Sequence, residues 1–251
     1  MGIEQEVYNL FKSAMPNVQS IVPHSLPIPF FGRYKTAQAA TISLNPSDKE
    51  FLDRNGNWLL GTQKRFESYK SLDCSSNLHL SDEMLIKAHD CCLEYFERPT
   101  AYWNWFSHIE SPIAKATNGK LTYRGGSLAH FDLSPWATNP VWSGLSEKDQ
   151  KALKVEGLSF LKWLIFSSNA KIYFLNGRTT CETIIHEMFG QKIIWSPIVN
   201  RWKYFSMTAS VQGKEVTLIG WNLYLQQSGQ SELLVQRISE DLVEKLIVKM
   251  I

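Results

Sequence analysis

The chain lacks the motifs that mark the commonest enzyme classes. It contains no GxGxxG, GxxxxGK(S/T), GxSxG or HExxH sequence, so dinucleotide-binding, P-loop, serine-hydrolase and zinc-protease functions have no support. None of the four cysteines belongs to a CxxC pair, and their spacing is not that of zinc or iron–sulfur ligands. We therefore expect no metal and no cofactor.

Long apolar runs and a strong charge imbalance are also absent. No stretch is apolar over the length that a membrane span needs, and the acidic start, Met1 to Glu6, is not typical of a signal peptide. A net charge of +2 neither requires nor excludes a nucleic-acid partner. The 251 residues, 44% of them hydrophobic, can bury a sizeable core. We expect a cytoplasmic monomer without a membrane partner, folded as a single domain over residues 1–251.

What is present is an alternation of apolar strands and amphipathic helices. Short apolar runs predict four buried strands, at residues 39–44, 128–133, 171–175 and 215–220. Helical periodicity and capping residues predict helices at residues 3–14, 81–96, 146–167, 178–190 and 231–250. A hairpin around Gln212-Gly213 leads into the fourth strand, and residues 99–127 suggest an aromatic cluster followed by a loop. This order predicts an α/β fold, a three-layer sandwich with a central four-stranded, mostly parallel sheet.

A polar turn follows each predicted strand, and ligand-binding groups in open α/β sheets stand at these strand ends. The four turns are Asn45–Asp48, Asp132–Trp136, Asn176–Thr179 and Trp221–Tyr224. An ordinary strand-to-helix turn capped by Ser47 or Asp48 explains the first of them equally well. The first turn is also similar to the Asn-Pro-Pro-aromatic motif of amino-group methyltransferases, but it lacks the second proline and the aromatic residue.

Together these turns resemble the uracil-DNA glycosylase superfamily. The resemblance spans roughly residues 20–240 and is carried by Ser43–Asp48, His130–Trp136 and Leu175–Arg178, whose order and spacing are more specific than any one motif. It implies a uracil-DNA-glycosylase-like fold and a divergent, metal-independent hydrolase. Such an enzyme flips a base out of double-stranded DNA and cleaves its N-glycosidic bond. None of the four turns contains lysine, so we expect a monofunctional enzyme without a lyase step.

The resemblance also assigns roles to single residues. Asn45 would position the hydrolytic water, and Pro46 would contact the flipped base. Trp58, thirteen residues further on, would stack on that base, although a core position for Trp58 is an equal alternative. The fourth turn has no histidine to bind the base O2, so Asn222 or Tyr224 would take that place. The expected wedge entering the duplex is Leu225 or Gln226. The expected DNA-backbone contacts are Ser47, Ser134, Asn176, Arg178, Thr179, Gln227 and Ser228.

Asp132 stands where uracil-excising members carry the asparagine that reads the base edge. An ionised Asp132 has no donor for uracil O4 and repels it. Cytosine offers an N4 donor and an N3 acceptor, which fit a carboxyl group that shares one proton with N3. Protonation at N3 also makes cytosine a better leaving group. The alternative is a buried aspartate that caps its own turn with Ser134.

The sequence therefore predicts excision of a cytosine-type base. Because removal of ordinary cytosine would damage the host genome, a modified cytosine, such as a hypermodified base of phage DNA, is the expected substrate. The aromatic residues from Tyr102 to Phe106 would accommodate the substituent. Antiviral defence and DNA repair both stay open as the setting. Two other functions also remain: a conventional glycosylase for uracil or a deaminated base, and a non-catalytic nucleic-acid-binding relative.

Overall fold

The structure is a computed structural model, and it describes residues 2–229 and 231–247. In chain order its helices and strands are α1 (Gln5–Lys12), β1 (Ala39–Ser43), α2 (Asp82–Leu93), α3 (Trp103–Ala116), β2 (Leu128–Asp132), α4 (Glu147–Ser167), β3 (Ile172–Asn176), α5 (Arg178–Phe189), β4 (Ser196–Pro197), β5 (Lys203–Val211), β6 (Lys214–Trp221), α6 (Leu225–Ser228) and α7 (Glu232–Ile247). Short 3-10 turns are present as well, among them Asp48–Glu50 and Tyr95–Glu97. The last predicted helical residues, 248–250, lie outside the described residues.

The strands form one mixed sheet in the order β2-β1-β3-β6-β5-β4. Strand β3 pairs in parallel with β1 and with β6, whereas β5 is antiparallel to both β6 and β4. The α/β class is thus confirmed, but the expected four-stranded sheet is wrong, because the hairpin adds β5 and then β4 at one edge. The turn at Gln212-Gly213 is where the sequence predicts it, and both residues have positive φ angles, 51° and 84°.

The backbone forms two compact units, each built from three chain segments. The first unit contains the chain up to Gly32, Leu44–Tyr102 and Phe131–Leu164. The second contains Arg33–Ser43, Trp103–His130 and the described chain from Ile165 onward. The sheet belongs to the second unit except for Phe131 and Asp132, the last two residues of β2. The prediction of a single domain over residues 1–251 stays a prediction.

In the second unit, all five residues of β3 are buried, as expected of a central strand. Helix α5 packs against β3 and β6, and α3 packs against α6 and α7. A buried polar cluster lies beside β1, where the Thr41 hydroxyl is 2.7 Å from both the Tyr123 hydroxyl and Nδ1 of His130. No helix in residues 2–229 and 231–247 is long and apolar enough to cross a membrane.

In the first unit, the proline-rich segment from Val22 to Phe31 runs along the segment that follows β2. The amide of Val22 donates to the carbonyl of Ala137 (2.9 Å), and the amide of Ile28 donates to that of Pro135 (2.7 Å). Helix α4 lies against the same segment, because a Cβ built on Gly157 would be 1.9 Å from the carbonyl oxygen of Leu133. Two elements therefore support the backbone just beyond Asp132.

Candidate functional site

Two of the predicted strand-end turns are joined within the first unit. The amide of Ser134 donates to the carbonyl of Leu44 (2.9 Å), and the amide of Thr138 donates to that of Pro46 (3.2 Å). Ser47 and Thr138 also form an isolated parallel bridge. The turn that carries Asn45 and the turn that follows Asp132 therefore lie side by side.

The side-chain amide of Asn45 has a fixed orientation. Its Nδ2 donates to the hydroxyl of Thr138 (2.8 Å) and to the carbonyl of Pro46 (2.9 Å). The Thr138 hydroxyl donates its own hydrogen to the carbonyl of Pro140 (2.8 Å), so it can only accept from Asn45. The amide nitrogen is thereby held against the protein, and Oδ1 of this half-buried side chain remains as an oriented acceptor.

Ser47 and Trp58 follow Asn45 in the same unit. The Ser47 hydroxyl accepts from the amide of Lys49 (3.1 Å) and caps the turn Asp48–Glu50, as the simpler interpretation of this turn predicts. Trp58 is half-buried, with its ring 6.1 Å from that of Phe51 in an edge-to-face arrangement. The stacking role of Trp58 and the phosphate contact of Ser47 stay predictions.

Asp132 ends β2 and is buried, with 6% of its surface exposed. Ser134, an expected phosphate contact, is also fully buried, and its hydroxyl accepts from the amide of Trp136 (3.4 Å). The phosphate contact of Ser134 stays a prediction, and it would require this buried side chain to become exposed.

Glu50 is a second buried carboxyl group in this unit, and the sequence analysis did not identify it. Only 4% of its surface is exposed, and the Tyr95 hydroxyl lies 2.8 Å and 3.0 Å from its two carboxylate oxygens. Burial raises the pKa of Glu50 to about 7, although the Tyr95 hydrogen bond and the positive charge of Arg65 lower it and the charge of Asp132 raises it further. Glu50 is therefore a buried carboxyl group with a raised pKa in the unit that also contains Asp132.

In the second unit, the side chain of Asn176 connects the ends of β3 and β6 with α6. Its Oδ1 accepts from the indole nitrogen of Trp221 (2.8 Å) and from the amide of Leu225 (3.2 Å). Its Nδ2 donates to Oε1 of Gln226 (2.9 Å). Asn176 is buried and its amide is used by the fold, so the expected phosphate contact through this side chain would require these bonds to break.

The same network fixes the orientation of Gln226. The indole nitrogen of Trp221 and the amide of Leu225 can only donate, so the Asn176 atom that they contact must be Oδ1. Nδ2 of Asn176 therefore faces Gln226, and the Gln226 atom that accepts from it must be Oε1. The Nε2 atom of Gln226 is then buried, with no hydrogen-bond partner among the described residues. Leu225, the other expected wedge, is also buried in this unit. The wedge role of either residue stays a prediction.

The two expected replacements for the missing histidine have local partners in the second unit. Oδ1 of Asn222 accepts from the amide of Lys203 (2.6 Å), and its Nδ2 donates to the carbonyl of Arg201 (2.9 Å). Tyr224 lies over Gly177, where an added Cβ would be 2.2 Å from the ring carbon Cε1. Asn222 thus holds the start of β5, and contact of either side chain with a base stays a prediction.

The remaining expected DNA contacts lie at the start of α5 and in α6. Arg178 and Thr179 are exposed, and Nε of Arg178 donates to Glu182 (2.7 Å). The amides of Gly177 and Arg178 donate to the carbonyls of Trp221 (3.0 Å) and Asn222 (2.9 Å), so they are not open to an anion. Gln227 is exposed and Ser228 is half-buried.

Residues 2–229 and 231–247 contain no cluster of three or more side chains suited to hold a metal ion. No protein-family model and no curated protein matches the chain. The candidate site therefore rests on the joined turns of the first unit, which carry the oriented Asn45 amide oxygen and the buried Asp132 carboxyl group.

Proposed function

We propose that the chain is a monofunctional DNA glycosylase that flips a modified cytosine out of double-stranded DNA and hydrolyses its N-glycosidic bond. The observation that carries the proposal is the pairing of the Asn45 turn with the Asp132 turn in one unit. In this proposal the chain is a divergent member of the uracil-DNA glycosylase superfamily with the three-layer fold of that superfamily. Defence against phage DNA is its proposed setting.

The orientation of Asn45 supports a role toward water. Its amide nitrogen is bound to Thr138 and to the backbone, so the oxygen is the atom that can accept a hydrogen from a water molecule. A water held in this way is ready to attack C1′ of the flipped nucleotide. Orientation of a nucleophile by a fixed group is among the larger contributions to enzymatic rate.

The chemistry of Asp132 supports a cytosine-type base. A carboxyl group and cytosine share one proton at N3, and that proton leaves with the base when the C1′–N1 bond breaks. The water oxygen forms the new bond to C1′, and the proton released from water passes to solvent. Protonated cytosine is the better leaving group because the electron pair of the broken bond enters a ring without net negative charge.

An abasic-site assay tests the proposal on duplexes that contain uracil, cytosine, 5-hydroxymethylcytosine or glucosylated 5-hydroxymethylcytosine. We expect cleavage of a modified cytosine alone. Asn45→Ala should lower the single-turnover rate by about a hundredfold or more, since the water is no longer positioned. Asp132→Ala should have a similar effect because the shared proton is lost. The matched control is Asn55→Ala, which alters an exposed asparagine of the same unit.

The other outcomes separate the alternatives. Cleavage of uracil alone would show that Asp132 does not face the base as proposed and would favour a conventional glycosylase. A protein that binds DNA in a gel-shift assay but cleaves none of the duplexes would favour a non-catalytic binding protein, provided that Asn45→Ala leaves this binding unchanged. Normal turnover of a modified cytosine by Asp132→Ala would contradict the proposal that Asp132 shares a proton with N3 of the base.

A further inference from the structure

The segments that begin four strands of the sheet in the second unit carry mostly positive charge. Residues 33–38 lead into β1, residues 120–127 into β2 and residues 168–171 into β3, and residues 212–215 begin β6. These segments contain six basic residues and one acidic residue, Glu215, whereas the whole chain has 26 basic and 24 acidic residues. The basic residues are Arg33, Lys35, Lys120, Arg124, Lys171 and Lys214. None of the six has a part in the proposed reaction.

Hydrogen bonds bring these segments together. The amide of Gln38 donates to the carbonyl of Ser127 (2.9 Å), and the amide of Lys171 donates to the carbonyl of Gln38 (3.3 Å). The ammonium group of Lys214 donates to the carbonyl of Ser168 (2.7 Å). The starts of β2, β1, β3 and β6 are therefore neighbours at one edge of the sheet, and we call this surface the cationic edge.

Most of the charge on the cationic edge faces solvent. Four of its basic side chains are exposed: Arg33, Lys120, Arg124 and Lys171. The other two lysines donate to carbonyl groups at the end of α4. Lys120, Arg124 and Lys171 form no ion pair with a side chain in residues 2–229 and 231–242. The charges of these three residues are therefore available to an anionic partner.

Arg124 is held in place by an aromatic ring. Its guanidinium carbon lies 4.5 Å from the centre of the Trp103 ring. Arg33 runs beside the same turn, since a Cβ built on Gly126 would be 3.7 Å from Cδ of Arg33. A guanidinium group stacked on a ring keeps its N–H groups directed outward in one plane, where two of them can donate to the oxygens of a phosphate.

The cationic edge has the chemistry of a surface for a phosphate backbone rather than for a membrane. The larger apolar side chains of its segments, Tyr34, Leu121 and Tyr123, are buried, and insertion between lipid chains needs such side chains at the surface. With neighbouring strands about 4.8 Å apart, four strand starts span about 15 Å. Each strand of DNA has one phosphate per about 3.4 Å of helix axis. A length of about 15 Å therefore contains about four phosphates per strand, as many as the exposed cations of the edge.

The opposite ends of β3 and β6 offer little attraction to a polyanion. Residues 177–179 and 222–229, which follow these strands, contain one basic residue, Arg178. Its Nε donates to the carboxylate of Glu182 (2.7 Å). The other expected DNA contacts in these turns are neutral amides and hydroxyls, which orient a bound backbone but do not attract it over a distance.

We propose that the cationic edge binds the phosphate backbone of double-stranded DNA and supplies the sequence-independent attraction that the turns after β3 and β6 lack. The choice of DNA among polyanions rests on the proposed function. Lysine and arginine contacts to phosphates release counterions from the duplex, so this attraction weakens as the salt concentration rises. The edge contributes to binding and leaves the bond-breaking step unchanged.

The experiment measures the affinity for a labelled duplex without modified bases by fluorescence anisotropy at several salt concentrations. It compares the wild type with the double variant Lys120→Gln, Lys171→Gln. The matched control, Lys148→Gln, Lys151→Gln, removes two exposed lysines of α4 and has the same net charge. Each lost phosphate contact should lower the slope of log affinity against log salt by about 0.9. Between about 50 and 200 mM salt, the wild type should therefore lose about tenfold more affinity than the edge variant, and the control should follow the wild type.

The other outcomes would overturn the inference. An unchanged slope in the edge variant would show that these lysines do not contact phosphates, and an equal change in the control would show that only net charge matters. A larger loss of binding to phosphatidylserine vesicles or polyglutamate than to the duplex would assign the edge to another partner.

Excision is measured separately. At saturating protein, the edge variant should excise glucosylated 5-hydroxymethylcytosine in a single turnover at the wild-type rate. Absence of excision by the wild type would contradict the proposed function, whereas the salt dependence of binding would still decide the role of the cationic edge.

Discussion

At the scale of single residues, Thr138 decides how Asn45 is presented. Its hydroxyl accepts from Asn45 and donates to Pro140, and Thr138→Val removes both bonds with little change in volume. We expect single-turnover excision to fall about tenfold with little change in substrate affinity, because the amide of Asn45 loses its fixed orientation. The free energy of unfolding should fall by about 1–2 kcal/mol, since buried polar groups lose partners.

The control for this variant is Thr62→Val, which changes an exposed threonine of the same unit. It should leave both the rate and the stability unchanged. If Thr138→Val excises the base at the wild-type rate, Asn45 is not held for catalysis through this bond.

Residue-scale prediction from sequence succeeds where the signal is local and fails where partners are distant. Ser47 as a cap follows from its place before a short turn. Glu50 shows no such signal, since an acidic residue in the first turn of a helix is usually exposed. Its hydrogen-bond partner Tyr95 lies 45 positions further along the chain, and no periodicity links such positions.

At the scale of elements, the close approach of α4 to the segment after β2 positions Asp132. Alanine in place of a helical glycine usually stabilises a helix by up to about 1 kcal/mol. At Gly157 the new Cβ would instead lie 1.9 Å from the carbonyl oxygen of Leu133 and 2.9 Å from Cα of Ser134. We expect Gly157→Ala to lower the free energy of unfolding by about 1–3 kcal/mol, as measured by chemical denaturation. Excision should fall as well, because the backbone beside Asp132 must move.

Ser159 offers a matched comparison on an exposed position of the same helix. Ser159→Ala should change stability by less than about 0.5 kcal/mol. A Gly157→Ala protein as stable as Ser159→Ala would mean that α4 can move away from Leu133 at no cost.

Elements with strong periodicity or continuous apolar sequence are predictable, and the others are not. The four expected strands correspond to β1, β2, β3 and β6 within one or two residues. Helix α3 was missed because its aromatic residues and Pro112 disguise the helical pattern, although the helix continues through the proline. Strand β4 has only two residues, and pairing with β5 alone defines it.

At the scale of the whole molecule, Glu50 links folding to pH. Its pKa is about 7 in the folded protein against 4.5 for an unperturbed glutamate. The folded state therefore binds the proton more tightly, so the associated stability is full below about pH 4.5 and is lost as the pH rises through about 7. Across this pH window we expect the free energy of unfolding of the wild type to fall by at most about 3 kcal/mol relative to that of Glu50→Gln.

Urea denaturation of both proteins at several pH values checks this expectation. Subtracting the free energy of unfolding of one protein from that of the other at each pH cancels the contributions of the titrating groups that both proteins share. A constant difference across the window would show that Glu50 does not change its proton affinity on folding.

The hydrogen bonds around Asn176 also have an evolutionary consequence. The amide of Leu225 is a backbone donor, so the fold itself requires an acceptor from the side chain at position 176. Aspartate would supply that acceptor but would lose the donor to Gln226, whose amide would then have to turn over to present Nε2. We therefore expect positions 176 and 226 to vary together in evolution, because a change at either position limits the amino acids that the other can accept.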